Sequence, residues 1–178
     1  MALASVLHRF RIALSDIDRE VYKEIDIRLA KHPSETDHYL LTRMLAYVLN
    51  ESEDLEFSAL GLGDPDQPAI IQKGIHGILL WIEIGNPSAR KIHKASKAAK
   101  VVKIYTYKDP EVLIREIQEN KIFNSSQLQV FAFSAGLLNR LTELLQRDNK
   151  WTVVHNGGSL MIQSGDIMEQ GEVNAYSV

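Results

Sequence analysis

The sequence predicts an α/β protein with a mixed central sheet and flanking helices. Three observations lead there. Short apolar runs alternate with segments of helical period through the middle of the chain. The runs 78–84 and 101–107 are separated by a helix-length basic segment, as in a crossover between parallel strands. Stretches of hairpin character add further β-structure at both ends. The 178 residues fit one domain spanning 1–178, with enough chain for a sizeable core.

Residues 4–14 alternate, with Val6, His8, Phe10, Ile12 and Leu14 on one face. Residues 20–31 alternate again, which predicts an antiparallel hairpin. His-Pro-Ser-Glu-Thr-Asp at 32–37 reads as a helix start, with Ser34 and Asp37 spaced as in a capping box. The helix runs to about Asn50, with Leu40, Leu41, Met44, Leu45 and Val48 as its apolar stripe. A short strand at 55–57 precedes a loop punctuated by Gly61, Gly63, Pro65 and Pro68. Strands at 69–73 and 78–84 form a hairpin, and 88–99 is a helix preceded by Pro87. A strand at 101–107, a helix at 109–120, a strand at 128–133 and a helix at 134–147 follow. The strands 151–155 and 159–163 flank an Asn-Gly-Gly turn, and 166–178 is an edge strand or a loose end.

A net charge of −3 argues against coating nucleic acid by bulk electrostatics, while leaving room for a local basic patch. The absence of cysteine excludes disulfides, iron–sulfur clusters and thiolate zinc sites. No apolar run suits a signal peptide or a membrane span, so a soluble, cytoplasmic protein without membrane contact is expected.

The most informative stretch is 79–94, Leu-Leu-Trp-Ile-Glu-Ile-Gly-Asn-Pro-Ser-Ala-Arg-Lys-Ile-His-Lys. Glu83 interrupts an apolar strand, and an unpaired carboxylate there costs several kcal/mol. A metal, a cation or a set of hydrogen bonds must hold it. No other acid occurs between Glu83 and Asp109, whereas Arg90, Lys91, Lys94, Lys97, Lys100, Lys103 and Lys108 are basic. Acids also mark the start of the first helix (Glu35) and the strand at 55–57 (Glu56). Carboxylates and a lysine at one sheet edge suit magnesium-dependent phosphodiester hydrolysis: the acids hold a hard cation, and the lysine handles water or phosphate. Helical spacing sets Lys94 across from the stripe of Ile92, Ala95 and Ala99, with Lys91 nearer its edge.

Taken together, the segments 32–37, 55–57, 81–87 and 90–95 resemble the YaeQ family of bacterial proteins over nearly the whole chain. The best markers are Trp-Ile-Glu-Ile-Gly-Asn-Pro with Arg90 and Lys94-Ala95, joined to His-Pro-Ser-Glu-Thr-Asp upstream. The resemblance implies a restriction-endonuclease-like core of the PD-(D/E)XK nuclease superfamily. There a Pro-Asp precedes a hairpin whose second strand carries Asp or Glu, one residue and then Lys. Carried over, Glu83 takes the acid position. Gly85 stands where the lysine is expected, so the cation comes from the helix, and Lys94 fits best. The Pro-Asp position falls at Pro68-Ala69, and Glu56 or Asp66 would supply the missing carboxylate.

The functional expectation is a divalent-metal nuclease or phosphodiesterase acting on DNA or RNA. Glu83 and Glu56 would hold Mg²⁺ or Mn²⁺, Glu35 would support the metal shell, and Lys94 would act on water or phosphate. Arg90, Lys91 and Ser34 would contact substrate, with the basic helix 88–100 along the phosphate backbone. The alternative is a non-catalytic module on a degenerate nuclease scaffold, binding nucleic acid or a protein partner.

Overall fold

A computed structural model of the chain describes residues 4–59 and 64–178. Gly61 and Gly63 of the expected loop lie outside the described residues. Among those described, the elements run β1 (Val6–Asp16), β2 (Val21–Lys31), α1 (Asp37–Val48), β3 (Leu55–Phe57), β4 (Ile70–Gly74) and β5 (Gly77–Ile84). They continue α2 (Ala89–Ala98), β6 (Ala99–Thr106), α3 (Pro110–Glu119), β7 (Leu128–Phe133), α4 (Leu137–Leu144), β8 (Asp148–Asn156), β9 (Ser159–Ser164) and β10 (Ile167–Tyr176). The expected mixed α/β character is present. No described helix is long and apolar enough to cross a membrane. The chain divides into two compact units.

The first unit comprises Met1–Leu49 and Phe133–Asn174. β1 and β2 form the expected antiparallel hairpin, with Phe10 opposite Ile27 and Ile12 opposite Ile25. β8 joins β1 in parallel, and β9 and β10 continue antiparallel. Alternation sends Phe10, Ile12, Leu14, Trp151, Val153, Leu160 and Ile162 into the interior. Phe10 meets Trp151 edge to face, with ring centroids 5.5 Å apart. α1 contributes Leu40, Leu41, Met44, Leu45 and Val48, the stripe read from the sequence.

Two local expectations are corrected here. The cap of α1 is Thr36, whose hydroxyl accepts from the Tyr39 N–H at 3.1 Å, and not Ser34. Ser34 instead turns its hydroxyl to His32 Nδ1, 2.6 Å away. α4 ends at Leu144 because the chain turns extended at Leu145, and the Arg147 carbonyl then accepts from the Arg9 N–H at 2.7 Å. Strand pairing with β1 overrides the helical period of 145–147. Of the two readings of the tail, the strand is the one present: it runs for 10 residues and pairs with β9. The β8–β9 turn is as expected: Gly157 and Gly158 both take positive φ (58° and 80°), as a two-residue type I′ hairpin turn demands.

The second unit comprises Asn50–Ala132 and Ala175–Val178. β3, β4 and β5 are antiparallel neighbours, while β5, β6 and β7 are parallel, joined through α2 and α3. The helices seat Ile92, Ala95, Leu113 and Ile117 against Trp81, Val102, Ile104 and Val130 of the sheet. Ile92 is the fully buried anchor of α2. Ile92→Ala should therefore lower stability by about 2–5 kcal/mol in urea unfolding, as for other large-to-small core changes. A loss below about 1 kcal/mol would contradict this seating of α2.

Candidate functional site

Glu83 sits near the end of β5, on the sheet face that carries Trp81. Only 3% of it is exposed. Both of its oxygens have partners within the second unit. Oε1 accepts from the Trp81 indole N–H at 2.6 Å, and Oε2 lies 2.9 Å from Lys91 Nζ. Burial pushes the Glu83 carboxyl above the usual carboxylate range, and Lys91 and Trp81 offset part of that. Lys91 is poised between two environments. Its ammonium pairs with a buried acid, yet 23% of the side chain reaches solvent.

The chain then breaks at Gly85. Its φ of +80° is a region that disfavours any residue with a Cβ, so a lysine here would be strained. The Gly85 N–H donates to the Tyr105 carbonyl at 2.8 Å, and Asn86 accepts from the Thr106 hydroxyl at 2.8 Å. Ser88 caps α2 by accepting from the Lys91 N–H at 3.3 Å, and Glu116 of α3 accepts from the Ala89 N–H at 3.2 Å. The first turn of α2 thus stands just past the carboxyl end of β5 and contains no acid.

Pro65, Asp66, Ser88, Arg90, Lys91 and Lys94 line an open groove of about 480 Å³ at this helix start. Asp66 is exposed, and Lys94 holds its carboxyl below the usual range from 3.0 Å away. Three cations at the N-terminal half of a helix oppose its dipole. With only Asp66 acidic in the lining, the groove is a positively charged surface suited to anions.

The sequence-derived site residues are not all brought together. Lys91, not Lys94, pairs with Glu83; Lys94 turns to Asp66. Arg90 lines the groove with both. Glu56 is exposed on β3, opposite Ile71, which is in turn opposite Trp81. That register leaves Glu56 two strand spacings, about 10 Å, from the strand that carries Glu83. Ala69 lies across from Glu83, since Ile70 pairs with Ile82 in antiparallel register. Glu35 and Ser34 belong to the first unit. There Glu35 is buried, accepts from the His32 N–H at 2.6 Å and pairs with Arg43 at 2.9 Å. Burial pushes its carboxyl up against the pull of Arg43. Glu35 thereby ties the 32–35 turn to α1.

A magnesium or manganese ion needs several oxygen ligands. Around Glu83 the side chains are an indole N–H, an ammonium and the methyl group of Ala69. Glu83 so surrounded does not hold such an ion by itself, and the carboxylate in the groove lining is Asp66. What the geometry supports chemically is recognition of an anion by Arg90, Lys91, Lys94 and Ser88.

The raised Glu83 carboxyl has a measurable consequence. Between the ordinary carboxylate range and the raised folded value, the folded chain binds more protons than the unfolded one. Stability should then fall as pH rises through that window. Glu83→Gln should flatten this slope in urea unfolding measured from pH 4 to 8; an unchanged slope would assign the titration elsewhere.

Known proteins match this chain along its length. The family model for the YaeQ protein matches residues 1–173. YaeQ of Salmonella typhi is 33% identical over 149 residues, covering 83% of this chain and 82% of that protein. YaeQ of Escherichia coli K12 is 37% identical over 108 residues, covering 60% of this chain and 59% of that one. The crystal structure of YaeQ from Xanthomonas axonopodis pv. citri superposes with a TM-score of 0.89 at 25% identity, covering 98% of this chain and 99% of that one. The Pseudomonas syringae structure gives 0.88 at 27% identity, covering 98% and 97%. The family-model match over residues 1–173 and the identity to the Salmonella typhi protein lead to one conclusion: the chain belongs to the YaeQ family.

Proposed function

We propose that this chain binds the phosphate backbone of nucleic acid in the groove at the start of α2. The observation that carries the reading is the lining itself: Arg90, Lys91, Lys94 and Ser88 converge where a helix begins. Helix N-termini favour anions, and guanidinium and ammonium groups donate strongly to phosphate oxygens. Glu83 serves as the buried counter-charge that fixes Lys91 at the groove wall. The scaffold is read as restriction-endonuclease-like, on the support of the β4–β5 hairpin followed by the α2 crossover to β6.

A second reading, metal-dependent phosphodiester cleavage, is favoured by one observation. Pro65-Asp66 precedes the hairpin whose second strand carries Glu83, and Asp66 lines the same groove as Lys91. This Pro-Asp lies three residues before Pro68-Ala69, where the resemblance alone places it.

Fluorescence anisotropy with labelled single- and double-stranded oligonucleotides tests the first reading. With three phosphate contacts, log affinity against log salt should fall with a slope of about −2 to −3, and Arg90→Ala or Lys94→Ala should each reduce that slope by about 1. Salt-independent binding, or no binding at 50 mM salt, would overturn it. On the second reading, Mg²⁺ or Mn²⁺ yields cleavage products that Asp66→Asn abolishes. Binding without products in either metal leaves recognition as the function.

A further inference from the structure

Within the first unit, β1 and β8 run in parallel and set Asp16 beside His155, residues 139 apart in sequence. Asp18, in the turn after β1, completes a group whose ligand atoms all lie within 4.8 Å of one another. Asp16 is fully buried, at 0% exposure. Its Oδ2 accepts from Arg19 Nε at 2.6 Å, and its Oδ1 faces His155 Nδ1 at 3.0 Å. With Oδ2 taken by the Arg19 guanidinium, which can only donate, Asp16 is an acceptor, and the hydrogen between Oδ1 and the ring is carried by His155 Nδ1.

Nε2 is the ring nitrogen left to face the other way, and the atom opposite it, 3.6 Å away, is Asp18 Oδ2. A cation between them would take both as ligands, displacing any proton on Nε2. Asp18 is itself held in place, because the Gly157 N–H of the β8–β9 turn reaches both its oxygens at 2.9 and 3.0 Å. Bonds of about 2.1 Å from one ion to both atoms would subtend about 118°, within reach of four-coordinate geometry.

We propose that His155 Nε2 and Asp18 form a binding site for a borderline divalent cation of the Zn²⁺ class, with Asp16 orienting the imidazole from behind. A carboxylate on the far nitrogen is the usual support of a metal-bound histidine. The imidazole selects against Mg²⁺ and Ca²⁺, which prefer all-oxygen sets. The remaining positions face solvent through half-exposed Asp18 and are left to water. Asp16 is a positioning residue. The site involves none of the groove residues and stands apart from the proposed nucleic-acid function.

Isothermal calorimetry of the full chain with Zn²⁺, and visible absorption with Co²⁺ as probe, test the site. One equivalent should bind. His155→Gln and Asp18→Asn should each weaken binding at least tenfold, and His155→Gln should remove the nitrogen-ligand signature from the Co²⁺ spectrum. Asp18 lies in an exposed turn, so Asp18→Asn keeps the test decisive if His155→Gln fails to fold. No binding by the wild-type chain at millimolar Zn²⁺ would overturn the proposal. So would binding that survives Asp18→Asn but is lost in Asp66→Asn, or histidine ¹⁵N shifts showing His155 doubly protonated at neutral pH with Zn²⁺ present.

Discussion

The pairing of Glu83 with Lys91 decides how the second unit presents its charge. A buried carboxylate is tolerated only with its oxygens satisfied, and Trp81 and Lys91 satisfy one each. Satisfying Glu83 requires α2 to start where it does, with Lys91 directed back to the sheet and Ile92 seated in the core. Once that orientation is set, Arg90 and Lys94 fall along the same rim. The groove is thus a by-product of one ion pair and one buried isoleucine on consecutive residues.

The same placement explains why the groove keeps its charge. Cations in the first turns of a helix are unfavourable against the dipole unless a partner offsets them. Lys91 has Glu83 and Lys94 has Asp66, whereas Arg90 lines the groove with no partner of either kind among the described ion pairs. An anionic ligand would complete the balance. Asp66 is the acid such a ligand meets, and its exposed pair with Lys94 is weakly held compared with the buried one.

Much of this was legible in the sequence, for identifiable reasons. An acid inside the apolar run Leu-Leu-Trp-Ile-Glu-Ile marks a held carboxylate by cost alone, and Pro87-Ser88 before a basic segment marks a capped helix. The first hairpin and the stripe of α1 follow from periods of 2 and 3.6 residues. The choice between Lys91 and Lys94 did not follow, because the roll of α2 is fixed by packing of Ile92 and Ala95. Nor did the assignment of Glu35 to the first unit and of Glu56 and Glu83 to the second, since acids spaced along a chain say nothing about which part of the fold each joins. The Asp16–His155 contact rests on a parallel pairing across the whole length of the chain, which leaves no local trace. The end of α4 shows the same limit, with strand pairing prevailing over helical period.

A double-mutant cycle on Glu83 and Lys91 tests the central claim most directly. Unfolding free energies of the wild type, Glu83→Gln, Lys91→Met and the double variant would be measured by urea at pH 7. Lys91→Met alone leaves a buried acid without its cation and should cost about 3–5 kcal/mol, while the double variant should recover most of that loss. Additive single effects would show that the two residues do not depend on each other, and would contradict the account of how Lys91 is held at the groove.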